Sequence, residues 1–83
     1  MPTERREIGR VTHYYPKIGV AVVELTAPLA VGETVLIQGT YTNFEQIVES
    51  MQIEHKDVKR AEAGQSIGLK VKERVREKDI VYR

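Results

Sequence analysis

Six short runs rich in β-branched and aromatic residues, each stopped by a turn signal, fill this sequence and leave no room for a helix of three turns. The runs cover residues 8–15, 20–25, 34–38, 44–54, 67–75 and 79–83. Between them stand Pro16 and Gly19, Pro28 and Gly32, Gly39, and a polar stretch closing on Gly64. Proline presets φ and glycine admits positive φ, so each of these is a point where a strand must end. Many short strands with no long helix leave a barrel or a sandwich.

Side-chain alternation then assigns the interior. Ile67, Leu69, Val71 and Val75 share one phase of a period of two. The change of phase between Val48 and Met51 predicts a β-bulge in the fourth run. Val20-Ala21-Val22-Val23 is continuously apolar, which predicts burial on both faces or a central position in the sheet. The expected core is Val11, Val20, Val22, Val35, Ile37, Met51, Ile53, Ile67, Leu69 and Val71. The expectation is an all-β fold, a six-stranded antiparallel β-barrel, because closing the sheet removes exposed edges. The chain has 83 residues, enough for one domain over residues 7–83, with residues 1–6 as a polar, disordered N-terminal tail. The start is charged, with no apolar stretch behind it and no run of the roughly 20 apolar residues a membrane helix needs. A cytoplasmic protein with no membrane partner is expected.

Three motifs give the barrel a likeness. Val31-Gly32-Glu33-Thr34-Val35-Leu36-Ile37, Val48-Glu49-Ser50-Met51-Gln52-Ile53-Glu54-His55-Lys56 and Ala61-Glu62-Ala63-Gly64-Gln65-Ser66-Ile67-Gly68-Leu69 follow one another in order. Together they resemble the second domain of translational GTPases, the β-barrel of elongation factor Tu and its relatives. That resemblance implies the translation-factor domain II type of barrel. A second resemblance suits the first half and the ending. Gly9-Arg10-Val11-Thr12-His13-Tyr14, Ala21-Val22-Val23-Glu24 through Leu29, Val31, Gly32 and Glu33, and Asp79-Ile80-Val81-Tyr82-Arg83 are similar to the C-terminal domain of bacterial collagenase-like peptidases. There the module accompanies a catalytic domain that this chain lacks.

Chemical motifs are missing. No G-x-x-x-x-G-K-[ST] loop is present, so no nucleotide binding is expected. There is no cysteine, and the two histidines, His13 and His55, stand in no metal-ligand spacing. Ser50 and Ser66 lie outside any nucleophile elbow. Glu24, Glu33, Glu45, Glu49 and Glu54 read as a solvated acidic surface. Neither catalysis nor a cofactor is expected.

Charge is nearly balanced overall, at +1, but unevenly placed. Residues 1–17 carry a net +2, residues 18–57 a net −5 and residues 58–83 a net +4. Lys70, Lys72, Arg74, Arg76 and Lys78 all occupy even positions. If the fifth strand continues, they leave one face as a row about 6–7 Å apart, a spacing close to that of phosphates. Glu77, Lys78 and Asp79 read as a turn, which limits the row to Lys70, Lys72 and Arg74. Arg10 and Tyr41 are the expected neighbours of this face, which would contact RNA or an acidic protein surface. The function expected from these features is a non-catalytic module binding RNA (tRNA or rRNA) or a ribonucleoprotein. The alternative is an interaction module that works with a separately encoded, collagenase-like catalytic chain.

Overall fold

The computed structural model describes residues 6–83. They build ten strands and no helix: β1 (Glu7–Tyr15), β2 (Val20–Leu25), β3 (Leu29–Ala30), β4 (Thr34–Gln38), β5 (Asn43–Ile47), β6 (Met51–Ile53), β7 (Lys56–Val58), β8 (Arg60–Ala61), β9 (Ser66–Lys70) and β10 (Ile80–Tyr82). Eight of them form one sheet in the order β5-β4-β10-β1-β2-β9-β6-β7, and β3 pairs with β8 apart from it. Every pairing is antiparallel.

The fold is therefore all-β and antiparallel, but the strand count is ten where six runs were read. The difference has two sources. Short strands β3, β7 and β8 occupy stretches that look like turns in the sequence. The run over residues 44–54 is also not one bulged strand. Residues 48–50 leave the sheet, carrying the chain from β5 at one edge to β6 beside the other. That crossing curls the sheet on itself. Among the described residues no ladder joins the two edge strands, β5 and β7. The tail expected over residues 1–6 lies outside the described residues as far as residue 5. Arg6 is held by two backbone hydrogen bonds with Arg83, at 3.3 and 2.9 Å.

The interior is a single cluster including Ile8, Val11, Leu25, Leu29, Val35, Ile37, Val48, Met51, Ile67, Leu69 and Val81. Burying a side chain of this kind contributes about 1.5–3 kcal/mol before chain entropy is counted. On β2 the sequence reading takes the wrong phase. Ala21, Val23 and Leu25 are buried, whereas Val20 and Val22 are half-buried on the outer face. The partners impose this: Val23 lies opposite Val11 and Ile67, and Ala21 opposite Leu69, all core residues. Ile53 is likewise only half-buried.

The motif turns have local causes. Gly32 and Gly64 adopt φ of 100° and 89°, where a Cβ is strained. Glu33 is not part of a solvated acidic surface. Its Oε2 accepts from the Ala30 amide at 2.9 Å, and its Oε1 accepts from the Arg83 guanidinium at 3.1 Å. The same guanidinium nitrogen donates to the Pro28 carbonyl at 2.8 Å, so one carboxylate ties the turn before β4 to the chain beyond β10.

Candidate functional site

The basic segment does not continue as a strand. β9 stops at Lys70, and residues 71–79 run irregularly, with Val71, Val75 and Asp79 buried and the residues between them exposed. The reason is tertiary. The Val71 amide donates to the Gly19 carbonyl at 3.0 Å as a last rung opposite β2, and beyond it the facing chain turns away, with Gly19 at φ of 65°. The Gln46 side chain occupies the neighbouring backbone groups, with Nε2 donating to the Lys70 carbonyl at 2.8 Å and Oε1 accepting from the Lys72 amide at 2.9 Å.

The expected row is consequently divided. Lys70 turns back onto the protein, its Nζ donating to the Ile18 carbonyl at 2.9 Å and closing the turn after β1. Lys72 stands beside Gln46 and Glu49. Arg74 lies in a different cleft, with Gln38, Tyr41, Asn43 and Glu73. Of the three, only Arg74 shares a cleft with Tyr41.

Arg76 is the residue that the sequence reading left out of the site. Its guanidinium carbon stands 4.9 Å from the centre of the Tyr41 ring, an arrangement in which the cation meets the negative face of the π-system. Tyr41 is 79% exposed. The two are brought together by Asp79, which is 3% exposed. Its Oδ2 accepts from the Arg76 amide at 2.9 Å, and the Asp79 amide donates to the Arg76 carbonyl at 3.1 Å, making a tight turn over residues 76–79. Lys78 takes φ of 76° in that turn, and its amide donates to the Val11 carbonyl at 2.8 Å. Asp79 packs against Gly39, which opens the loop that carries Tyr41.

Two further clefts adjoin the Arg74 cleft. One holds Tyr41, Arg76, Lys78 and Tyr82, and the next holds Arg10, Thr12, Lys78 and Ile80. Arg10 is therefore linked to the site through Lys78 and not through Tyr41. Glu77 faces both of these clefts and pairs with His13 Nδ1 at 3.4 Å. His13 also stacks edge-on with Tyr15, whose ring centre lies 4.4 Å away. Among the described residues, no three His, Cys, Asp or Glu side chains gather where they could hold a metal ion. The arrangement suits binding through charge and an exposed aromatic.

No protein-family model matches the chain. Solved structures do. The C-terminal domain of a Geobacillus thermoleovorans protein classed with the U32 peptidases superposes with a TM-score of 0.90 at 26% identity, over 95% of this chain and 100% of that one. A second crystal structure of that domain gives 0.86, over 98% and 94%. The molecule is thus an all-β domain similar in fold to the C-terminal domain of a U32 peptidase. Among curated proteins it is 49% identical over 77 residues to an uncharacterized protease of Methanocaldococcus jannaschii. It is 34% identical over 82 residues to a collagenase of Porphyromonas gingivalis. These matches take in 92% and 96% of this chain, which spans about a fifth of the length of the relatives, 19% and 23%. The chain is homologous to the C-terminal domain of the U32 peptidase and to a segment of the collagenases.

Proposed function

We propose that the chain is a non-catalytic accessory domain that docks on a catalytic protein of the collagenase-like peptidase type. The carrying observation is that 95% of the chain superposes on the whole of a separately solved C-terminal domain of a U32 peptidase. Fold alone does not assign activity, so the argument rests also on the surface. Its polar groups form shallow clefts around an exposed tyrosine and four cations, which suits recognition of another macromolecule. RNA is the competing partner, favoured by the translation-factor-like motifs and the basic residues.

The test is capture from cells. The tagged chain is crosslinked in its host, purified, and its eluate divided between mass spectrometry and RNA sequencing. A co-purifying chain with a collagenase-like catalytic domain is the expected result. An eluate holding RNA and no such chain would overturn the proposal, as would peptide hydrolysis by the purified chain alone.

A further inference from the structure

Resting on the accessory reading, we infer that the face running from Arg74 past Tyr41 to Arg10 binds an extended, acidic peptide segment of the partner protein. Arg10, Arg74 and Lys78 have no ion-pair partner among the described residues, and Arg76 meets only the Tyr41 ring. Among the other cations, Arg60 pairs with Glu62, Arg83 with Glu33, and Lys70 with the Ile18 carbonyl. Arg6, Lys17, Lys56, Lys59 and Lys72 also stand without an ion pair among the described residues, away from these clefts or, for Lys72, beside Gln46 and Glu49. What sets this face apart is that four such cations gather along three clefts in series with an exposed tyrosine, Tyr41 joining the first to the second and Lys78 the second to the third. The turn held by Asp79 sets Arg76 and Lys78 in fixed backbone positions, so the face is organised before any ligand arrives.

Mixed charge separates a peptide from a nucleic acid here. Glu73 shares the cleft of Arg74, and Glu77 faces both clefts of Lys78. A phosphate backbone carries charge at every unit and favours an uninterrupted positive track. Arg76 also covers one face of Tyr41, leaving only the other for a base to stack on. An extended peptide places alternate side chains on one side about 6–7 Å apart, so its carboxylates can be spaced to meet the cations without a charge at every unit.

The probe is a fluorescein-labelled peptide of alternating glutamate and glycine, titrated against the purified chain by anisotropy at about 50 mM and about 200 mM salt, beside an oligouridylate of matching length. The peptide is expected to bind, more weakly at the higher salt. Arg74→Gln with Arg76→Gln should weaken it roughly three- to tenfold, as the loss of two exposed charge contacts implies. Tyr41→Ala should weaken it as well, and Lys56→Gln, on the far edge strand β7, should leave it unchanged; far-UV circular dichroism confirms that each variant is folded. Absence of peptide binding overturns the inference. So does indifference to the Arg74 and Arg76 changes, or tighter binding of the oligouridylate. Capture of the catalytic chain undiminished by the double substitution removes this face and leaves the accessory reading standing.

Discussion

Gly39 lies so close to the carboxylate of Asp79 that an added methyl group would overlap its Oδ1. The contact joins the loop of Tyr41 to the turn of Arg76, and no residue other than glycine permits it. Gly39→Ala should therefore cost about 1–3 kcal/mol, as overpacking at a tight site does. Because Asp79 must move, the same change should also weaken acidic-peptide binding. Urea denaturation and the anisotropy titration read the two effects separately. A variant as stable as the parent would mean that the loop gives way freely.

Gln46 spans the gap between β5 and the chain beyond β9 with a single side chain. Gln46→Met keeps the volume and removes both hydrogen bonds, leaving the Lys70 carbonyl and the Lys72 amide without that partner. A loss of about 1–3 kcal/mol in denaturant unfolding is expected.

Glu33 separates two contributions. Glu33→Gln retains an acceptor for the Ala30 amide and loses only the charge opposite Arg83, a pair exposed enough to be worth under about 1 kcal/mol. Glu33→Ala removes both and should cost about 1–2 kcal/mol, in line with other caps of backbone amides. Equal losses in the two variants would place the whole effect in the ion pair.

The hairpin between β6 and β7 turns on Glu54 and His55, at φ of 52° and 66°. Two-residue hairpins with positive φ at both positions prefer Asn-Gly. Replacing Glu54 by Asn and His55 by Gly together should raise stability by about 1 kcal/mol, seen as a higher denaturation midpoint with an unchanged slope. A fall in stability would show that these side chains hold the hairpin by contacts.

Most of the longer strands and the glycine turns were legible because they are written locally. Val48 and Met51 announced a change of phase, which is a crossing between the two sides of the sheet and not the expected β-bulge, while Gly32 and Gly64 marked turns that do take positive φ. The phase of β2 was not legible, since Val20-Ala21-Val22-Val23 has no alternation and only the partners, Val11, Ile67 and Leu69, decide which residues face inward. The end of β9 was hidden for a related reason. Period two runs on through Lys72 and Arg74, while the groups that stop the strand, Gly19 and Gln46, are distant in the sequence. The pairing of Arg76 with Tyr41 depends on Gly39 and Asp79 meeting, which no local pattern records.

The two backbone hydrogen bonds between Arg6 and Arg83 make the domain a loop with one doorway: chain that enters at Arg6 departs beside it at Arg83. A fold with this property can hang as a pendant from another polypeptide, spliced into a surface turn as readily as joined at an end. The same adjacency makes it a candidate for circular permutation, with a short bridge across the doorway and new ends cut at the exposed hairpin of Glu54 and His55. Its orientation on a host would then be set by the faces it presents and not by the direction in which the chain is threaded.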